Sequence, residues 1–364
     1  MLVVYCHAIG TQDMFGPSLQ NQFYYLGSFG AIGVDVFFVI SGFVIAYIAG
    51  KERGGKAALS FMKRRWIRIA PVYYVASLFL LIFIMARSAD YYSYKTIVKT
   101  ITIVPVFERE YWNPVIGIGW TLGFELFFYI LYTLCIATAV RQKNVLLLGS
   151  IIVLTVLGVR FPQIHDSRWF LVTNPIALEF CFGVLIALLC KTNARISKGI
   201  SIAAIGLSVL LMARLIYMGY GEISGNEHIL VGRYCFARVW LWGVPSAVLV
   251  FGCVFYERAV PHSFSQKWII ALGNASYSIY LTHSIVFLLI TALFKRTAGL
   301  GKSITAHGDL FILALLIISA IAGLLFHHRV EKPLIRWLNK KLHADAGKPV
   351  PLAPPQEAEY SNKH

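Results

Sequence analysis

Charge is scarce in this sequence: 14% of its 364 residues are Asp, Glu, Lys or Arg, against about 25% in an ordinary soluble domain. With 58% hydrophobic residues and a mean hydropathy of +0.68, too few polar side chains remain to clothe a water-soluble globule. Long polar stretches are missing as well, which excludes a disordered chain and argues against a separate soluble catalytic domain. The six cysteines, at positions 6, 135, 181, 190, 235 and 253, show no CxxC spacing and fall mostly inside apolar runs. They read as small buried hydrophobes, neither a disulfide framework nor a zinc site, and no metal is expected. Walker loop, GxSxG elbow and HExxH pair are all absent. His7 and Asp13 are separated by five intervening residues, so the H-x4-D spacing of glycerolipid acyltransferases is not met, and no Gly-Asp-Ser motif of a fused esterase-like domain occurs.

What is present is a series of apolar runs: Gly30 to Ile48, Pro71 to Ala86, Ile116 to Val140, Val145 to Val159, Pro175 to Cys190, Gly199 to Met218, Val239 to Tyr256, Ala275 to Phe294 and Leu310 to Phe326. Each is of roughly bilayer-spanning length, and helices are required because an open sheet would leave backbone groups unpaired in lipid. Met1 to Ile9 (MLVVYCHAI) reads as the second half of a tenth apolar helix, the expectation for an N-terminally shortened chain. It lacks the basic leader and the small-residue cleavage site of a signal peptide. The expected fold is an all-α polytopic bundle of about ten transmembrane helices over residues 1–342. The tail 343–364, polar and proline-rich, is expected to be disordered and cytoplasmic.

Lys and Arg outnumber Asp and Glu 33 to 17, a net charge of +16. The connections after the second, fourth, sixth, eighth and tenth spans hold 21 of the basic residues, the opposite side 11, and Arg214 lies within a span. That asymmetry favours even-numbered connections facing the cytoplasm, with both termini inside. The Lys295 to Lys302 loop, basic on the outer side, is an exception. Basic residues clustered beside apolar spans point to anionic lipid, not to nucleic acid.

Polar groups at membrane depth identify candidate chemistry, because a charge at the midplane costs about 2.5 to 3.5 kcal/mol on insertion scales. His7 lies in an apolar helix; it reads either as a general base for a hydroxyl proton or as a hydrogen-bonded structural histidine. In FMKRRWIRIAPVYY, Arg64 and Arg68 are one helical turn apart and Arg65 and Arg68 are i,i+3 if the helix runs to Pro71. Their planar forks suit phosphate oxygens, and anionic lipid contact is the competing reading. Glu125, deep in IGIGWTLGFELFFYILY, must be protonated, paired or lining a polar cavity. Asp35, in AIGVDVFFVISGFVI, reads as a partner that orients a His or Arg, with Ser41 and Gly42 permitting close helix contact. His283 in GNASYSIYLTHSIVF is a second intramembrane histidine, expected to support the first. Glu179 is a further buried carboxylate, and Glu331, Lys332 and Pro333 could close a weak network with the basic segment. The aromatic stretch Tyr91 to Trp112 reads as interfacial anchoring, or as a sugar-stacking platform.

The blocks GVDVFFVISGFVI, FMKRRWIRIAPVYY, GWTLGFELFFY, NPIALEFCFGVLI, GNASYSIYLTH and VEKPL, in that order, resemble the acyltransferase 3 family of bacterial integral membrane proteins over essentially the whole chain. GWTLGFELFFY and NPIALEF are especially similar to the subgroup that acetylates exopolysaccharides of the succinoglycan type. The resemblance implies a ten-span bundle that takes an acyl group from cytoplasmic acyl-CoA, usually acetyl-CoA, and delivers it to a sugar hydroxyl of a lipid-linked or surface polysaccharide. It implies that His7 is the essential histidine of the first helix, that Arg65 and Arg68 are the family's RxxR pair, and that Glu125 is the acid of its WxLxxE block. The working expectation is that the arginines, Arg64 included, bind the phosphates of acyl-CoA. His7 acts as base, and Glu125 or Asp35 orients its imidazole. A transporter or flippase with buried His, Asp and Glu is the alternative, though no internal repeat is visible. The sequence departs from the family in lacking the arginine-containing segment ahead of a fuller first helix.

Overall fold

The computed structural model describes residues 1–15, 26–86, 94–103, 114–162, 164, 166–192, 194–218, 223, 235–296 and 308–346. Among these residues every regular element is helical, and nine helices are long and apolar enough to cross a bilayer. The bundle is built from α1 (Leu2–Asp13), α2 (Ile32–Ile48), α3 (Gly55–Met85), α4 (Trp120–Ala137) and α5 (Lys143–Arg160). It continues with α6 (Leu178–Cys190), α7 (Lys198–Met218), α8 (Val244–Ala259), α9 (Ser276–Arg296), α10 (Gly308–Phe326) and α11 (Lys332–Ala346). This is the expected all-α polytopic membrane bundle.

Close approach of backbones sets the packing, as helices in lipid require. A side chain at Gly42 of α2 would strike the Phe180 backbone of α6, and one at Gly183 of α6 would strike Val39 and Phe43 of α2. Beside this crossing Phe180 stacks on Phe128 of α4, centroids 4.4 Å apart, and meets Phe38 of α2 at 4.7 Å. At the far end of α2 two lysines cap carbonyls left open by the helix terminus. Lys191 donates to the Ala46 carbonyl (2.6 Å), and Lys143 to those of Ala49 (2.5 Å) and Glu52.

Two helices outrun their apolar segments. α3 begins at Gly55 and passes through Pro71, because its polar first half still buries Ala58 and Phe61. The last apolar run carries on from α10 through a π-helical turn, His327–Glu331, into α11. Residues 343–346 therefore belong to a helix, not to a disordered tail, and 347–364 lie outside the described residues. Of the Tyr91 to Trp112 stretch only 94–103 is described, as a short helix Tyr94–Thr102 and its end; the Lys295 to Lys302 loop lies outside beyond residue 296.

Candidate active site

A cavity of about 500 Å³ opens between α1, α2, α3, α4 and α9. One end is polar, lined by Arg65, Arg68, Glu125 and Tyr129; Phe37, Ile40 and Val44 of α2 form an apolar wall. The volume falls in the usual range for small-molecule sites, about 300 to 1,000 Å³.

The two arginines reach it because they sit i,i+3 on one face of α3. Arg65 lies over the rings of Phe61 (5.4 Å) and Tyr129 (5.9 Å), contacts that hold a guanidinium plane without consuming its hydrogen-bond donors. Arg68 pairs with Glu331 (3.3 Å). Glu331 is fully buried and also accepts from the Ser278 hydroxyl (2.5 Å) and His327 Nδ1 (2.8 Å). The network at VEKPL is thus formed around a buried carboxylate where the sequence suggested an exposed, weak one. Glu331 ends the π-helical turn that precedes α11, one helical turn on from His327. Arg64 points elsewhere: it binds Glu52 (2.5 Å) and Ser60 (2.6 Å) and does not line the cavity. The structure thus joins Arg65 and Arg68 and leaves Arg64 out.

Glu125 projects from α4 with 4% of its surface exposed. Its Oε1 accepts from the Tyr129 hydroxyl one turn on and from Ser41 of α2 (3.4 Å). Its Oε2 has no hydrogen-bond partner among the described residues. The nearby cations acting on it are Arg65 and Arg68.

Asp35 goes elsewhere. It is fully buried in a two-pronged pair with Arg238, Oδ1 to Nε 2.9 Å and Oδ2 to Nη2 2.7 Å. Arg238 further donates to the carbonyls of Ile223 (3.0 Å) and Ala31 (3.3 Å) and lies 4.7 Å from the Trp242 ring. Glu179 packs against the same pair, acting electrostatically on both. Arg238, counted from sequence among the outer basic residues, is a buried cation that the reading missed. Its position one residue ahead of the Val239 to Tyr256 run was the available signal.

His7 of α1 is half-buried, and its Nδ1 lies 2.8 Å from Nε2 of His283 on α9. The rings meet edge to edge, centroids 5.1 Å apart and planes 18° from parallel. Among the described residues neither Glu125 nor Asp35 is hydrogen-bonded to His7; the expected contact with one of them is not made, and the imidazole meets His283 instead. The reason is geometric: Asp35 is consumed by Arg238, and Glu125 is held on α4 by Tyr129 and Ser41. Val3 and Val4, one turn before His7, line the cavity, as does Tyr280, one turn before His283. Tyr280 links the two regions. Its hydroxyl shares a hydrogen bond with Thr121 (2.9 Å) and donates to the Ile118 carbonyl (2.9 Å), while its ring centroid is 5.9 Å from that of His283. Among the described residues no group of three or more His, Cys, Asp or Glu could hold a metal ion.

Comparison with known proteins identifies the family of the chain. The sequence profile of the acyltransferase domain, Acyl_transf_3, matches residues 1–328. The exopolysaccharide production protein ExoZ of Rhizobium meliloti is 26% identical over 84% of this chain and 90% of its own length. The acyltransferase MdmB of Streptomyces mycarofaciens is 24% identical over 97% of this chain and 92% of its own. O-acetyltransferase OatA of Staphylococcus aureus is 24% identical over 73% of this chain and 47% of its own length. No solved structure matches. With the family profile covering nine-tenths of its length, this chain belongs to the acyltransferase 3 family and is a multi-pass membrane acyltransferase.

Proposed function

We propose that this acyltransferase moves an acetyl group from cytoplasmic acetyl-CoA to a sugar hydroxyl of an exopolysaccharide or other cell-envelope glycan in the bacterial inner membrane. The observation that carries the reading is the cavity, which gathers Arg65, Arg68 and Glu125 at one end and runs to within one helical turn of His7 and His283. A glycan acceptor is supported by the names of the relatives: one is an exopolysaccharide production protein and another an O-acetyltransferase. A cytoplasmic donor and a cytoplasmic C-terminus are supported by the side on which the basic residues gather.

In this mechanism Arg65 and Arg68 pair with the phosphates of the donor, each charge-assisted hydrogen bond contributing about 1.5 to 3 kcal/mol. The pantetheine arm lies along the apolar wall of α2. Glu125 Oε2, lacking a partner in the protein, accepts a hydrogen bond from the bound substrate. His7 takes the proton of the sugar hydroxyl as its oxygen attacks the thioester carbonyl. The tetrahedral intermediate then collapses, the C–S bond breaks, and the proton passes from His7 to the departing thiolate, leaving ester and free thiol. General-base assistance of this kind is worth roughly 10² to 10⁴ in rate.

The test is transfer of radiolabelled acetyl from acetyl-CoA to acceptor polysaccharide by the purified protein in lipid nanodiscs. His7→Ala should lose at least 100-fold in turnover while still accumulating in membranes and binding acetyl-CoA. Turnover near that of the unsubstituted protein would end the assignment of the base.

A further inference from the structure

We propose that His283 is a positioning residue that fixes the tautomer of His7, so that Nε2 of His7 is the nitrogen that accepts the substrate proton; the inference rests on the reading of His7 as the base. A neutral imidazole has one N–H and one bare lone pair, so a chain of two rings can be resolved from its terminal contact. His283 Nδ1 lies 3.3 Å from the Ile279 carbonyl oxygen. A carbonyl only accepts, so attraction there requires the proton on Nδ1 of His283. Its Nε2 is then a lone pair, and the 2.8 Å contact with His7 closes only if His7 donates from Nδ1. The proton count leaves Nε2 of His7 bare. The opposite arrangement turns the Nδ1 lone pair of His283 against the Ile279 oxygen and spends the basic nitrogen of His7 inside the pair, where no substrate can reach it.

The surroundings hold this arrangement in place. His283 is fully buried, with Phe287 edge-on at 5.6 Å, Tyr280 on another side, and His7 meeting its edge in nearly the same plane. His283 thus fills the place that an acidic partner takes in a Ser-His-Asp triad. When His7 gains a proton, its Nδ1–H bond to His283 becomes charge-assisted and shortens. A neutral orienter does this in an apolar bundle without burying a negative charge beside α1.

The experiment compares His283→Leu, His283→Gln and His7→Ala in the acetyl-transfer assay, together with nitrogen-15 solid-state NMR of histidine-labelled protein in lipid. The expected result is a kcat at least 30-fold lower in His283→Leu, with KM for acetyl-CoA within about threefold. His283→Gln should recover to within tenfold of the unsubstituted protein, because its amide oxygen reaches the Nε2 position and accepts from His7. The spectra should show His7 and His283 both protonated at Nδ1 near neutral pH, with His7→Ala and His283→Gln supplying the assignments. An Nε2-protonated His7 in the spectra, or full kcat in His283→Leu, overturns the inference. So does His283→Gln being as inactive as His283→Leu while both accumulate normally. If His283→Leu does not fold, the spectra of the unsubstituted protein decide alone. Activity retained in His7→Ala sinks the base reading itself, whereas an inactive His7→Ala beside a fully active His283→Leu sinks this inference only.

Discussion

Removing the cation of the Asp35, Arg238 and Glu179 cluster should cost more than removing its better-bonded carboxylate. In Arg238→Gln, two carboxyl groups that are fully buried lose their shared counter-charge. Breaking a buried pair from one side costs about 3 to 5 kcal/mol, because the remaining charge stays desolvated. In Asp35→Asn, Glu179 already lies within electrostatic reach of Arg238 and the carbonyls of Ile223 and Ala31 still accept from it. The loss there should be nearer 1 to 3 kcal/mol, the range for a truncated buried hydrogen bond. For 364 residues, an unfolding entropy of about 2.1 cal/mol/K per residue converts these to roughly 4–7 °C and 1–4 °C of melting temperature. Scanning fluorimetry of purified protein in one detergent reads the difference. The paired change Asp35→Leu with Arg238→Met should recover much of the stability, and activity with it, if the cluster is a structural clamp. A double variant that melts normally yet stays inactive would refute the clamp and return Asp35 to the catalytic list. Equal melting of Arg238→Gln and Asp35→Asn would refute the role given to Glu179.

Further expectations concern the arginines, the helix crossing and the outer surface. Arg65→Lys and Arg68→Lys should each weaken acetyl-CoA binding about 10- to 100-fold by calorimetry, since an ammonium keeps the charge but loses the fork, whereas Arg64→Lys should change it less than threefold. Glu331→Gln should raise KM for acetyl-CoA more than it lowers kcat, because Arg68 loses its carboxylate anchor; a selective loss of kcat would contradict that. Gly183→Val should cost about 1 to 3 kcal/mol by overpacking against the α2 backbone, seen as a lowered melting temperature, and a silent substitution would show that the crossing can open freely. Arg168, through its hydrogen bonds, holds the partly exposed Asp166 carboxyl down to about 2. A depressed carboxyl gives stability that is present above its unfolded value near 3.8 and lost as pH falls through about 2. Asp166→Asn should therefore show an unchanged pH profile between pH 5 and 8, and any change within that window would contradict the assignment.

The sequence showed the spans because lipid imposes one rule on every helix: length and apolarity alone mark Gly199 to Met218 or Val145 to Val159. Partners were less visible, because they depend on which faces meet. Glu125 and the arginines were flagged for their cost in lipid, and the cavity gathers them; the spacing could not say that Arg64 would turn to Glu52, since that choice is made by a residue outside its own helix. Asp35 was expected to orient a His or an Arg, and the bundle gives it Arg238, 203 residues away. The burial of Glu331 was hidden because two of its partners, Arg68 and Ser278, come from other helices. His283 was recognised as supporting, but contact with His7 needed the first and ninth helices side by side.

The carboxylate that steadies Arg68 also ties that guanidinium to a distant stretch of the chain. Any anionic guest arriving at the guanidinium meets Glu331 already in place, tethered by a serine and a histidine, so occupancy at that end of the cavity entails a tug on the segment leading into the C-terminal helix.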